Sequence, residues 1–450
     1  MALRYSRRNR HAEGELMFIR HFILKAAVLW LALDGAVCAA ALPPEDAARV
    51  DAVVAATLQA RQAPGAVLAI VRDGEVVYRK AYGAVSTASL FEIGSLTKQM
   101  AAAAVLQLAA QGKLALDDRV GKYVPEYPAA VGVTIRQLLQ QTSGLPDFAG
   151  TPEFAANGTT RPTDFEGIVA SVRALPMEFA PGERWKYSNT NYALLGHIIE
   201  RVSGEDFDSY LSAHILRPAG MRTVSTLGKA TAADGKALGY SSDGNSLQPA
   251  AMFQNSWIGA AGNLVASVDD LIAWNRALAS SAWLPAMRTR AVLNDGDTAG
   301  YGYGLFLDHQ AGRDRVWHGG GTLGFSTSSM LYPDEKLWII ALVNDGDVNA
   351  SAMTAFIYDA LHGIRHEAAA GEVPAVNEQL RALLKRAKQG ELSKKLQAQL
   401  DVYGRPEDLL YAGRDGDAYR YRARFGAQWL QLRLLPPTGQ QAVALTATPE

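Results

Sequence analysis

Two β-rich runs, Ala66-Val-Leu-Ala-Ile-Val71 and Glu75-Val-Val-Tyr78, flank the pair Asp73-Gly74. Apolar runs closed around Asp-Gly predict a tight β-hairpin. Ahead of it, Glu45 to Ala60 has helical spacing and stops before Pro64-Gly65. After Gly94 the pattern changes. Leu96 to Ala110 is alanine-rich and apolar almost all round, which predicts a buried helix. From about Leu114 to Ser246 the chain reads as helical and loop-rich, with Ile135–Gln140 and Tyr192–Arg201 as its clearest helices. Ser267-Val-Asp-Asp270 looks like a capping box opening the helix Leu271–Leu278. Strand signals return at Gly304–Leu307, Arg315–His318, Thr327–Tyr332 and Leu337–Val343. The last two flank Pro333-Asp-Glu-Lys336 as a second hairpin, and Ala352–Leu361 reads as a closing helix.

These elements predict an α/β (α+β) fold. The early hairpin and the late strands would form one antiparallel β-sheet flanked by helices, and residues of about 95–250 would be an inserted helical lobe. Pockets tend to lie at the junction of two lobes. Past His366 the character shifts. Leu380–Leu400 is a charged helical pattern and Leu409–Leu445 alternates like a short meander, so 366–450 reads as a small appended α+β module behind a main domain of 41–365.

Composition adds little to this but narrows the class. Of 450 residues, 48% are hydrophobic and 20% charged, with a formal net charge of −1. That is long enough for a large core, and near-neutral charge gives no reason to expect nucleic acid as a partner. The start of the chain needs its own reading. Arg4, Arg7, Arg8 and Arg10 precede Met17, then Arg20 and Lys25, the apolar run Ala26–Leu33 and the small residues Ala39, Ala40 and Ala41. This order predicts a secretory signal over 1–40, with initiation at Met1 or Met17 and a periplasmic or secreted product. The apolar run is too short to span a bilayer, so no stable membrane span is expected after cleavage. The single cysteine, Cys38, falls inside this leader, and the residues before it match a lipidation site poorly.

Candidate chemistry comes from three patterns, each present once: Ser95-Leu-Thr-Lys98, Tyr187-Ser-Asn189 and His318-Gly-Gly320. Residues three apart share a helix face, so Lys98 would lie beside the Ser95 hydroxyl. A serine hydroxyl is a poor nucleophile until a base takes its proton. Alone, Ser-x-x-Lys reads equally as a helix-capping serine with a solvated lysine; the ordered set points to serine acyl transfer. The chain has no Gly-x-Ser-x-Gly, no His-Glu-x-x-His, no phosphate-binding loop and no cysteine cluster. No metal or cofactor is therefore expected.

Over about Glu45 to Leu361, the chain resembles the serine β-lactamase and penicillin-binding protein superfamily. It is most similar to the branch of class C β-lactamases, DD-peptidases, D-aminopeptidases and related esterases. The likeness extends to Phe91-Glu-Ile-Gly-Ser-Leu-Thr-Lys98, Leu138-Leu-Gln-Gln-Thr-Ser-Gly-Leu-Pro146 and Gly259-Ala-Ala-Gly-Asn-Leu264. The resemblance implies a β-lactamase/transpeptidase-like fold with Ser95 as acylated nucleophile, and with Lys98 or Tyr187 taking its proton. It also implies Asn189 holding the lysine and the substrate amide. His318, Gly319 and Gly320 would then occupy the substrate strand, with the Gly321 amide joining that of Ser95 as the oxyanion hole. One departure matters. His318 stands where a permanent cation is usual, and Gly319 removes a hydroxyl that helps bind a substrate carboxylate. The expectation is an exported serine hydrolase cleaving a peptide-like amide (a D-amino-acid peptide or β-lactam) or a small ester. The alternative is a penicillin-binding sensor or slow acyl trap.

Overall fold

The computed structural model describes residues 41–242, 246–365, 369–386, 406, 408–415, 418–425, 428–435 and 444–449. The leader, and with it Cys38, lies outside these residues, as does the helical pattern predicted beyond Arg386.

Strands β1 (Gly65–Arg72) and β2 (Glu75–Gly83) form the predicted hairpin. Its corner residues have φ of 52° at Asp73 and 83° at Gly74. Positive φ at both central residues is what a two-residue hairpin turn requires, and Asp-Gly is a pair that accepts it. The late strands are β3 (Phe306–Gln310), β4 (Arg313–Gly321), β5 (Ser326–Tyr332) and β6 (Leu337–Val343). They join the hairpin in one six-stranded antiparallel sheet of order β2-β1-β6-β5-β4-β3. Leu337–Val343 is buried along its whole length, as expected of a central strand flanked on both faces.

Helices α1 (Pro44–Arg61), α2 (Thr97–Ala110), α3 (Asn189–Ser203), α4 (Val268–Ser280) and α5 (Ala350–His362) complete the body. Two adjacent serines on β5 show how the layers sit. Ser328 Oγ lies 3.0 Å from Thr354 Oγ1 of α5, while Asn275 Nδ2 of α4 donates to Ser329 Oγ at 3.1 Å. Successive strand residues point to opposite faces, so α4 and α5 sandwich the sheet. The predicted capping box is present: Ser267 Oγ accepts from Asp270 N, and Asp270 Oδ2 accepts from Ser267 N. The helical lobe also carries short strand pairs, among them Tyr240–Ser242 with Leu247–Pro249.

Helix α2 is the pivot between lobe and sheet. Residues 97–105 are all buried. The bare Gly304 lets the chain approach the helix backbone: the carbonyl of Lys98 lies 2.8 Å from where a β-carbon on Gly304 would be. At the far end of the chain, α6 (Pro374–Arg386) and strands β7 (Asp408–Asp415), β8 (Ala418–Phe425), β9 (Gln428–Leu435) and β10 (Ala444–Pro449) form an α+β module. Leu380 and Leu384 of the helix pack there with Tyr421, Phe425 and Leu432 in a cluster of their own.

Beneath the sheet edge, Arg315 is fully buried. Its Nε and Nη2 donate to Asp308 Oδ1 and Oδ2 at 2.7 and 3.1 Å, its Nη1 to Gln310 Oε1 at 2.7 Å, and Trp317 Nε1 also reaches Asp308 at 2.9 Å. Removing one partner of such a pair strands the other charge, which costs about 3–5 kcal/mol. Arg315→Met is therefore expected to lose that much in urea unfolding, and Arg315→Met with Asp308→Leu to lose clearly less. Equal losses in the two variants would show that packing, not charge pairing, holds this edge.

Candidate active site

Ser95 sits in a 3-10 turn, Gly94–Leu96, that leads directly into α2. Thr97 Oγ1 donates to Gly94 O at 2.8 Å, and Ile93 N donates to Leu264 O at 2.9 Å, so the turn is tied at both ends. Lys98 follows in the first turn of α2 and is buried. The sequence spacing places its side chain beside the serine, and Lys98 Nζ donates to Ser95 Oγ at 2.9 Å. The same ammonium donates to Asn189 Oδ1 at 2.9 Å and to Ala261 O at 2.6 Å.

Those three contacts define what Lys98 can do. Ala261 O is a carbonyl and accepts only. Neutral lysine keeps two N–H donors, enough for Ala261 O and Asn189 Oδ1, and its lone pair then faces Ser95. Burial drives the Lys98 ammonium down to about 7, against the opposing pull of the Asp147 charge. The lysine thus changes charge close to neutrality while its position is fixed by groups other than the serine.

Tyr187 lies across this lysine, with Nζ 4.8 Å from the ring centroid. Burial pushes its phenol well above the ordinary 10 with some help from the Asp147 charge, while an interaction with Ser95 pulls the other way. The hydroxyl is buried and makes no well-formed hydrogen bond. Burial therefore favours the neutral phenol over the phenolate.

The strand side of the site is built from glycines. Residues Arg313–Trp317 of β4 pair with β3, whose first residue, Phe306, lies opposite Trp317. His318 to Gly321 run past that partner, so among the described strands this edge is open. Gly94 has φ of 52°, and a β-carbon there would meet Gly321 N at 2.7 Å. At Gly320 a β-carbon would meet Ile93 O at 1.9 Å. Only glycine at both positions lets the strand lie against the turn that carries Ser95, which brings the Gly321 amide beside it.

His318 joins this strand with its ring turned inward, 2% exposed. Nδ1 contacts Gly319 O, an acceptor, so Nδ1 carries the proton; Nε2, 2.9 Å from Tyr301 OH, then accepts from it. Burial, helped by the Lys98 charge, pushes the imidazole down to about 3, so it is neutral through the working range. Neither ring nitrogen is left to hold a substrate carboxylate. Gly319 is equally revealing, because a β-carbon there would come 2.6 Å from Ser351 Oγ at the start of α5.

One residue escaped the sequence reading. Asp147 stands just past the Leu138–Pro146 segment, and its Oδ1 accepts from Asn189 N at 3.0 Å and Ala149 N at 3.1 Å, while Oδ2 accepts from Asn189 Nδ2 at 3.1 Å. A carboxylate only accepts, so it fixes the Asn189 amide with its oxygen toward Lys98. The rest of the segment grips the same strand of chain: Gln141 Oε1 accepts from Ser188 N at 3.0 Å, and Thr190 Oγ1 donates to Pro146 O at 2.7 Å. Pro-Asp reads as turn chemistry in a sequence, and nothing local shows that Asp147 reaches a residue 42 positions on.

A family profile described as Beta-lactamase matches residues 50–364. The chain belongs to the β-lactamase family. It is 31% identical over 309 residues to penicillin-binding protein 4* of Bacillus subtilis, covering 62% of this chain and 68% of that one. Against other curated relatives the chain spans 62% of their length. Among solved structures it is similar to a D-stereospecific amidohydrolase from Streptomyces (28% identity, TM-score 0.61, 70% of this chain and 98% of that one). It is also similar to the octameric penicillin-binding protein homologue from Pyrococcus abyssi (26% identity, TM-score 0.63, 88% and 92%). The protein is a hydrolase of this family, with the antiparallel sheet and flanking helices of its neighbours.

The glycine strand yields a direct test. Gly320→Ala is expected to push β4 off Ile93 and separate the Gly321 amide from Ser95. The sequence likeness implies that this amide is an oxyanion donor, and losing one such donor typically costs about 10²–10³ in rate. The variant should therefore lose most esterase turnover while still unfolding cooperatively; turnover within threefold of wild type would show that this contact does not set the site.

Proposed function

We propose that the protein is an exported serine hydrolase in which Ser95 is acylated by a peptide-like amide or small ester, and water then releases the acyl group. The observation that carries this reading is the 2.9 Å contact between Ser95 Oγ and a buried lysine brought down to about 7. Neutral Lys98 accepts the serine proton as Oγ attacks the carbonyl. The Ser95 and Gly321 amides receive the developing oxyanion. Tyr187 stays protonated and is placed to relay a proton toward the leaving group.

The substrate class follows from what the site lacks and from its relatives. Neutral His318 and the bare Gly319 offer no cation for a carboxylate, which favours an uncharged or esterified group at that point. A D-stereospecific amidohydrolase among the relatives supports an amide, including D-amino-acid peptides, as substrate. Export rests on the leader pattern of residues 1–40. No helix among the described residues is long and apolar enough to cross a membrane.

The test is covalent labelling followed by turnover. Ser95→Ala is expected to abolish labelling by a fluorophosphonate, read by intact mass; labelling that persists would refute the assignment. Lys98→Ala and Tyr187→Phe are each expected to lose about 10²–10⁴ in acylation rate. In wild type, kcat/KM for a small ester should rise as pH climbs through about 7, because the neutral lysine is the active base. Labelling without ester or D-amino-acid amide turnover would identify a slow acyl trap instead.

A further inference from the structure

Asp147 is hydrogen-bonded to Asn189 and Ala149 rather than to the serine, yet two features tie it to the reaction. It orients Asn189 through both amide groups of that residue, and Asn189 in turn receives a hydrogen bond from Lys98. It is also the carboxylate whose charge acts on Lys98. Everything that faces the Asp147 oxygens is an N–H donor: Ala149 N, Asn189 N and Asn189 Nδ2. Burial prevails and leaves the carboxyl above its ordinary value, while those three donors together with the Lys98 charge oppose the rise. With donors alone around it, the site is built for the ionised form.

The other titratable groups around Lys98 carry no charge near neutrality. Tyr187 and Tyr192 present their ring faces to Nζ at 4.8 and 5.5 Å, and burial keeps both phenols protonated. His318, on the strand side, is neutral. Asp147 is therefore the charge that balances the buried ammonium.

We propose that Asp147 is the positioning residue of the general base: it locks the Asn189 amide whose oxygen receives the Lys98 ammonium, and it is the counter-charge to that buried ammonium. Without Asp147, burial would act on Lys98 unopposed and the base would become available at lower pH. The cost of that charge is a slower enzyme in acid. The gain is a lysine whose lone pair faces one partner only, because the amide oxygen of Asn189 cannot turn away. This inference rests on the Ser95–Lys98 reading above.

The experiment measures inactivation of the full chain by a neutral alkyl fluorophosphonate across pH 5 to about 9, a range chosen to bracket a lysine near 7. Wild type, Asp147→Asn and Ser95→Ala are compared. In Asp147→Asn the acid limb is expected to move down by about one pH unit or more, since a nearby buried charge is worth at least that. A uniform loss of rate with the limb in its wild-type place would mean that Asp147 is structural only, and would overturn the proposal; so would a limb that moves up. If Asp147→Asn does not fold, Asp147→Ser, which keeps a side-chain acceptor for Ala149 N without the charge, is read in the same way. Labelling that survives in Ser95→Ala would instead refute the serine mechanism itself, so the two failures are distinct.

Discussion

A lysine ammonium taken out of water must find acceptors or give up its proton, and Lys98 is arranged to do either. Its three partners come from three parts of the chain: the turn that opens α2, the start of α3 and the glycine-rich loop ending at Ala261. Each must be held within a few tenths of an ångström for the ammonium to be tolerated. Much of the lobe can be understood as the apparatus that holds them. The Gln141–Asp147 segment clamps Ser188, Asn189 and Thr190. Gly304, which lacks a side chain, lets neighbouring backbone lie against the helix that carries the lysine.

The second constraint is close approach of backbone to backbone. Strand β4 reaches the serine turn only because residues 94 and 320 lack side chains. The same strand carries His318 inward, where Tyr301 and the Gly319 carbonyl use both ring nitrogens. The edge offered to substrate is thus main chain and glycine, with no side-chain cation. On the proposed function, selectivity at this point would arise from shape and amide hydrogen bonding, in contrast to a site that grips a carboxylate.

Much of the fold was legible because it is locally encoded. Asp73-Gly74 announces its hairpin through the φ angles it accepts, Ser267 and Asp270 cap α4 reciprocally, and an alanine-rich run, apolar almost all round, reads as a buried helix. Strand ends were less legible: β3 begins at Phe306 rather than Gly304, and β4 extends three residues past His318, to Gly321. Such ends are set by which partner strand is present, and that is a tertiary property. Ser95, Lys98, Tyr187 and Asn189 were readable from spacing and resemblance, and the structure brings all four together. Asp147 was not, because the partner that ties it to the site, Asn189, lies 42 positions on. The inward turn of the His318 ring was hidden for a related reason, since it depends on Tyr301 and Phe306 packing beside it.

The central claim is that Lys98 is a buried base that loses its proton near neutrality. The most direct measurement is an NMR titration of protein labelled with ¹³C and ¹⁵N in lysine, with the Lys98→Ala spectrum assigning the missing signal. A Lys98 side-chain resonance that titrates near 7 is the predicted result. A Lys98 signal that remains charged up to about 10, as an ordinary lysine does, would contradict the account.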